Sequence, residues 1–351
     1  MPVGNGAVIQ ALQPGKLGAN SAGHCAFLRF AHMLSARHLG YDPRGLLVIA
    51  SSLNKPQCLS SGDNRKELER RGDLNESERN FFFLETAGAS CISDRAACAI
   101  ESAALRNPDY TVWLLTILDM RDCRFLDNLL YLPNFRTLKI ELNQLVKDSV
   151  LVHWYIKDDW IRSPFRINHL SDALRMLILW KYGGVYADLD VLILKSFGQL
   201  RNVVAREHFP DVGNSVMVFE RKHPFLLRCL EEFSWTYKSH KWAYNGPRLL
   251  ERVLAWFCPR NLLGKLPLVQ CSGVTVLPNT AFYPVSYLQW RKTFLRNSTV
   301  DVMRTTTESY AIHLWNSYSR STKTERGSAY DVLRKALCPK TYALLKKQNL
   351  L

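Results

Sequence analysis

Two aspartates, Asp188 and Asp190, stand one residue apart in the run YGGVYADLDVLIL (182–194), which is otherwise apolar and follows a glycine pair. A buried carboxylate without a partner is costly, so two of them in a core-like run imply a positive charge held nearby. In an extended strand, side chains two apart share a face. Tyr186, Asp188 and Asp190 are then expected on one side, with Val185, Ala187, Leu189 and Val191 on the core side. Carboxylates about 7 Å apart along a strand can converge on one cation. Oxygen ligation of this kind suits Mg²⁺ or Mn²⁺, which complete their octahedra with phosphate oxygens and water, so a metal-bound diphosphate is the natural guest. A D-x-D triplet is weak evidence alone, because about one arises by chance in a chain of this length. The apolar flanks strengthen it, since they leave no reason for two solvated charges.

The segment that must position the pair is HLSDALRMLILWKY (169–182), whose spacing predicts a helix with Leu170, Ala173, Leu174, Leu177 and Ile178 on one face. Gly183 is placed to end it, and Gly184 to open the strand. Asp172 and Arg175, three apart, share a face in the first two turns, where anion recognition is favourable. A surface ion pair worth little is the bland alternative. Upstream, FFFLET (81–86) reads as a buried strand, Cys91 to Arg106 as a helix, and YTVWLLTIL (110–118) as a second strand. Strand, helix, strand with short connections is a βαβ unit, so an α/β fold with a parallel sheet and a ligand site at the strands' carboxyl ends is expected. Further on, 215–220 and 309–315 read as strands, and 221–233, 247–257 and 329–345, on both sides of Pro339, as helices.

Taken together, SDALRMLILWKYGGVYADLDV resembles the D-x-x-R, G-G-x-Y-x-D-x-D signature of glycosyltransferases with a DXD sugar module. FLETAG (83–88), RAACAIESAALRNPDYTVWLL (95–115), NSVMVFERKHPFL (214–226), NGPRLLERV (245–253), AFYPVSYLQWR (281–291) and AIHLWN (311–316) are similar to the α-1,4-glycosyltransferase family. That family includes α-1,4-galactosyltransferases and α-1,4-N-acetylglucosaminyltransferases. The resemblance covers roughly 80–345 and implies a GT-A fold, a Rossmann-like α/β domain that binds a UDP-sugar and Mn²⁺ (or Mg²⁺), followed by an acceptor-binding region. It further implies that Asp172 and Arg175 contact the nucleotide-sugar, that Tyr186 shapes the donor site, that Asp188 meets ribose and metal, and that Asp190 binds the metal. His313 is the candidate third metal ligand, because related transferases close the site from a late strand or loop, with Asn316 as its alternative. Asn214, Asn245 and Gly246-Pro247 are candidates for the acceptor site or, equally, turn and cap residues. No catalytic nucleophile or base stands out; in a front-faced transfer the leaving phosphate would take the acceptor's proton.

The resemblance divides the chain into a stem or linker (1–79), a nucleotide-sugar domain (80–200) and an acceptor-binding C-terminal region (201–351). It implies a retaining hexosyltransferase that moves galactose, or an N-acetylhexosamine, from UDP-galactose or a UDP-N-acetylhexosamine to a glycolipid acceptor in α-1,4 linkage, within glycosphingolipid biosynthesis. Family members are Golgi proteins with a signal anchor. Here no run reaches the ~20 apolar residues that span a bilayer, since CAFLRFAHML (25–34) is broken by Arg29 and GLLVIASSL (45–53) is short. A lumenal Golgi location is still the expectation, given two sequons (Asn75, Asn297) and nine scattered cysteines without a C-x-x-C pair. The formal charge of +15 admits nucleic acid, a membrane surface or phosphorylated substrates. Basic residues spread along the chain and no recognition motif occurs, so an anionic donor and a membrane surface are favoured over nucleic acid. Two other classes use the same features: a haloacid-dehalogenase-type phosphatase built on D-x-D, disfavoured by Leu192 and the helix-GG-Y block, and a basic polyanion-binding protein.

Overall fold

A computed structural model describes Leu74 and residues 79–348; the linker reading of 60–80 and the sequon at Asn75 fall almost wholly outside them. The strands are β1 (Asn80–Glu85), β2 (Thr111–Thr116), β3 (Phe135–Lys139), β4 (Gly184–Ala187), β5 (Val191–Ile193), β6 (Val203–His208), β7 (Asp211–Phe219), β8 (Val269–Cys271), β9 (Val274–Leu277) and β10 (Ala311–His313). The longer helices are α1 (Asp94–Arg106), α2 (Arg166–Tyr182), α3 (Pro224–Thr236), α4 (Pro247–Phe257), α5 (Ala329–Leu337) and α6 (Pro339–Lys347). Among the described residues no helix is long and apolar enough to cross a membrane.

One eight-stranded sheet, in the order β3-β2-β1-β4-β7-β6-β9-β8, organises the fold. All six residues of β1 are buried, because the sheet is covered on both faces, and NFFFLE is apolar throughout its middle instead of alternating. Phe81 and Phe83 join one core, with α1, Val185 and Ala187; Phe82 and Leu84 join the other, with α2 and Tyr186. β1 to β4 run parallel, while β4–β7 and β7–β6 are antiparallel. The α/β architecture is therefore as expected, and the sheet is continuous across residue 200. Strands β3, β6, β8 and β9 were not anticipated; they are short or carry charges that blur the apolar pattern.

The aspartate pair does not lie in one extended strand. β4 ends at Ala187, a turn closed by the Val191 N–H donating to the Asp188 carbonyl (3.0 Å) follows, and β5 leaves the main sheet to pair with β10. A strand continuing between apolar layers would bury both carboxylates there; the break instead delivers them to the sheet's carboxyl edge. The glycine pair makes this path possible. Gly184 has φ +109° and a Cβ there would strike the Asn80 carbonyl oxygen of β1, while Gly183 has φ +68° and a Cβ there would meet the Arg221 main-chain nitrogen at 2.7 Å.

Three disulfides join six of the seven described cysteines: Cys91–Cys123, Cys98–Cys338 and Cys258–Cys271, leaving Cys229 as a buried thiol. Beside Cys98, the fully buried Glu101 accepts the N–H groups of Lys340 (2.9 Å) and Thr341 (2.9 Å), which are orphan donors of the first turn of α6. The Gly184→Ala variant is expected to lose about 2 kcal/mol or more, because φ and contact both forbid a Cβ. Gly198→Ala, where a Cβ meets Ser196 Oγ at an ordinary 3.5 Å, is expected to melt like wild type. Thermal melts of the two variants check this, and equal melting temperatures would refute the packing argument.

Candidate active site

Strand order reverses between β1 and β4, and their carboxyl ends open onto a cavity of about 600 Å³. In open α/β sheets such a switch point is where ligands bind. Glu85 ends β1 and accepts the N–H groups of Ala87 (2.9 Å), Gly88 (2.9 Å) and Ala89 (3.1 Å), which curls the following loop into the cavity wall. α2 contributes Asp172 and Arg175, the β4–β5 turn Asp188 and Asp190, and β10 His313; all five line the cavity.

Arg175 is 5% exposed and its donors are occupied: Nη1 binds the Asn214 carbonyl (2.8 Å), Nη2 the Ser171 hydroxyl (2.8 Å) and Nε the Ser171 carbonyl (3.2 Å). Its charge faces Asp188 at 3.1 Å and Asp172 at 3.6 Å. The guanidinium also lies 4.6 Å from the centroid of the Tyr186 ring, and Tyr186 donates its hydroxyl to Asp188 Oδ1 at 2.6 Å. Burial pushes the Tyr186 hydroxyl well up, so it remains a proton donor. Asp172 accepts the Asn214 amide at 2.7 Å, and burial raises its carboxyl to about 6, against the opposing pull of Arg175 and Asn214. The surface-pair alternative for Asp172 and Arg175 is thereby excluded.

Asp190 is held from the other side. His313 Nε2 lies 3.1 Å from its Oδ1, and the Asn316 N–H donates to its Oδ2 at 2.7 Å. Burial raises its carboxyl, but His313 and the Asn316 N–H outweigh that and leave it below the usual range. Trp315 supplies the geometry: its backbone is left-handed (φ 57°), uncommon for so bulky a residue, and turns the next N–H toward Asp190. One donor atom from each of Asp188, Asp190 and His313 lies within 4.8 Å of the others. His313 Nδ1 is buried without a partner among the described residues. Two carboxylates and an imidazole fit a divalent cation such as Mn²⁺.

The structure thus brings Asp172, Arg175, Asp188, Asp190 and His313 to one cavity, with Tyr186 buried behind it and reaching the site through its hydroxyl on Asp188. Asn316 does not replace His313, since its side chain accepts from Arg95 (2.8 Å) and only its N–H reaches Asp190. Asn245 is structural, bonded to His169 and to the main chain of Lys238. Asn214 orders Asp172, and Gly246 leaves room for it, because a Cβ there would lie 2.6 Å from both Asp172 oxygens. Sequence reasoning missed Glu85 and Glu207; neither carries a spacing signal, and both are brought in by the sheet.

This site and fold define a glycosyltransferase. A family model described as glycosyltransferase sugar-binding region containing DXD motif matches residues 93–210, and one described as alpha 1,4-glycosyltransferase conserved region matches 218–345. Lactosylceramide 4-alpha-galactosyltransferase of Mus musculus is 34% identical over 275 residues, 76% of either chain. Alpha-1,4-N-acetylglucosaminyltransferase of Homo sapiens is 29% identical over 302 residues, 83% of this chain and 86% of the relative. The chain belongs to the α-1,4-glycosyltransferase family, and its core is an α/β fold on one eight-stranded sheet. Among solved structures, galactosyltransferase LgtC in complex with donor and acceptor sugar analogs aligns with TM-score 0.36 and 13% identity, covering 74% of this chain and 96% of that one. The phosphatase and polyanion-binding alternatives are not favoured by these matches.

A pH prediction follows from Asp172, whose usual value is 3.8. Between about pH 4 and 6 the unfolded chain ionises this group while the folded chain retains the proton. Metal-free wild type is expected to lose roughly 3 kcal/mol relative to Asp172→Asn over that window, with no further divergence above it. Urea unfolding of both proteins from pH 4 to 7 checks this, and parallel curves would contradict the raised value.

Proposed function

We propose that this chain transfers galactose, or else an N-acetylhexosamine, from a UDP-sugar to the terminal sugar of a glycolipid in α-1,4 linkage, with Mn²⁺ at the Asp188–Asp190–His313 group. One observation carries the reading: an Asp-Asp-His group at the sheet's switch point, set beside a buried arginine. The names of the relatives, one acting on lactosylceramide, supply the linkage and the acceptor class. Golgi lumen is the proposed compartment; the disulfides and the exposed sequon at Asn297 fit it.

Glycosyl transfer passes through an oxocarbenium-like state while negative charge builds on the leaving diphosphate. A divalent cation bound here supplies positive charge to that diphosphate. Asp190 is a pre-set ligand, fixed by the Asn316 N–H before any metal arrives, and Asp188 is oriented by the Tyr186 hydroxyl. Arg175 keeps a permanent positive charge at the site, and burial spares it reorganisation during the reaction. Asp172 offers a carboxylate to donor hydroxyls. Residues 201–351 provide the acceptor side, and the linkage is made with retention.

The test incubates the protein with Mn²⁺, UDP-galactose, UDP-N-acetylgalactosamine or UDP-N-acetylglucosamine, and lactosylceramide, beside Asp190→Ala. Transfer from UDP-galactose is expected, abolished by chelator and reduced at least 10²–10³-fold, roughly, by the substitution. Turnover that survives both would sink the metal assignment, and no turnover of any UDP-sugar would sink the function.

A further inference from the structure

The cavity is lined by further polar groups besides the Asp188–Asp190–His313 group, and most of them are already engaged. Arg248 Nη1 donates to Asp211 (2.7 Å) and Glu251 (2.8 Å), and Glu251 also accepts the Val212 N–H (3.2 Å). Glu207 lines the cavity from β6, half-buried, and among the described residues its side chain has no hydrogen bond or ion pair. Its neighbour Arg206 is fully spent elsewhere, on the carbonyls of Pro210, Leu263, Leu266 and Pro267. Glu207 sits where the β6–β7 register shifts between Arg206 and His208, and it lines the cavity that Arg206 does not reach. Glu207 and His313 line the same cavity. A partly desolvated acceptor with no donor is a vacancy that a ligand's hydroxyl can fill.

Aromatic rings line the same cavity. His208, next in β6, has its ring 6.2 Å from that of Tyr287, and Tyr287 stacks on Tyr318 with centroids 6.3 Å apart and planes 20° apart. Both tyrosines line the cavity, and Tyr318 is 48% exposed. Pyranose rings present an apolar face of C–H groups and a rim of hydroxyls, which an aromatic face and a carboxylate satisfy together. On the reading that this is a hexosyltransferase site, we propose that Glu207 and the Tyr287–Tyr318 pair form the acceptor-sugar subsite. The carboxylate accepts a hydrogen bond from a hydroxyl of the terminal hexose, whose C–H face lies against Tyr318. That hydroxyl is thereby held in the cavity that also contains the Asp188–Asp190–His313 group.

The experiment compares Glu207→Ala, Glu207→Gln and Tyr318→Ala with wild type in the full chain. UDP affinity with Mn²⁺ is measured by calorimetry, and KM and kcat with UDP-galactose and lactosylceramide. Glu207→Ala is expected to raise the acceptor KM about 10- to 100-fold. Glu207→Gln, which keeps an acceptor oxygen, falls between it and wild type, and Tyr318→Ala raises the same KM. UDP affinity stays within about twofold of wild type in all three, as it must if the substitutions spare the donor site. Unchanged acceptor kinetics in the Glu207 variants, or a parallel loss of UDP affinity in folded protein, overturns the subsite. If Glu207→Ala fails to fold, Glu207→Gln and the exposed Tyr318→Ala decide. A wild type that binds UDP yet transfers no hexose overturns the functional reading, and this subsite with it; an active wild type matched by its variants overturns the subsite alone.

Discussion

Arg175 carries a permanent charge into the protein interior, and much of the site follows from compensating it. A guanidinium cannot neutralise itself by losing its proton, so every donor must find an acceptor and the charge must find a carboxylate. Ser171, one turn earlier on α2, gives two acceptors, the β7 main chain gives a third at Asn214, and Asp188 and Asp172 supply the counter-charge. One cation shared by two acids cannot fully satisfy both. The shortfall falls on Asp172, the more buried of the two, whose carboxyl rises to about 6. Asp188, with a quarter of its side chain exposed, retains solvent and a tyrosine hydroxyl. The two aspartates closest to Arg175 thus differ in exposure and in hydrogen-bond partner.

Asp190 belongs to a separate clamp. Its sheet is the two-stranded one formed when the chain leaves β4, and its partners come from residues more than a hundred positions later. This clamp has its own anchor in α1, where the Ser102 hydroxyl accepts the Ile193 N–H at 3.0 Å and helix residues share a core with β5 and β10. Asp188 and Asp190 therefore answer to different parts of the fold, the first to α2 and the main sheet, the second to α1 and β10. Their convergence requires that both parts be assembled, which is a geometric reason for a site of this kind to be all or nothing.

What the sequence made legible was whatever repeats locally. The βαβ start, the helix bearing Asp172 and Arg175, the two C-terminal helices and the glycine pair each have a periodicity, a cap or a breaker that can be read in order. The break between β4 and β5 had no such mark, because VYADLDVLI alternates well enough for one strand and only the distant β10 makes the divergence favourable. His313 was reached through family resemblance and not through pattern. Its partner's hydrogen bond from the Asn316 N–H depends on a left-handed tryptophan that no propensity anticipates. Asn214 was visible as a residue but not as a role, since its amide acts on an acid 42 positions earlier. Glu207 carried no mark at all, being a charged residue in a strand too mixed to be recognised.

The same long-range dependence explains the cysteines. The residues lining the cavity are drawn from as far apart as Leu84 and Tyr318, so the late segment carrying His313 and Asn316 must be fastened back onto the early part of the chain. Apolar packing of α5 on α1 does part of this, and Glu101 does more by receiving the first N–H groups of α6 in the interior. The Cys98–Cys338 bond fastens the same pair of helices at a sequence separation of 240. Chain entropy makes such a wide loop the one, of the three described, whose cross-link limits the unfolded ensemble most, about 5.5 kcal/mol in the loop-closure model. Reduction would weaken the attachment of the very segment that completes the Asp190 clamp. A metal site assembled across that span is therefore best held in an oxidising compartment, where the bond persists.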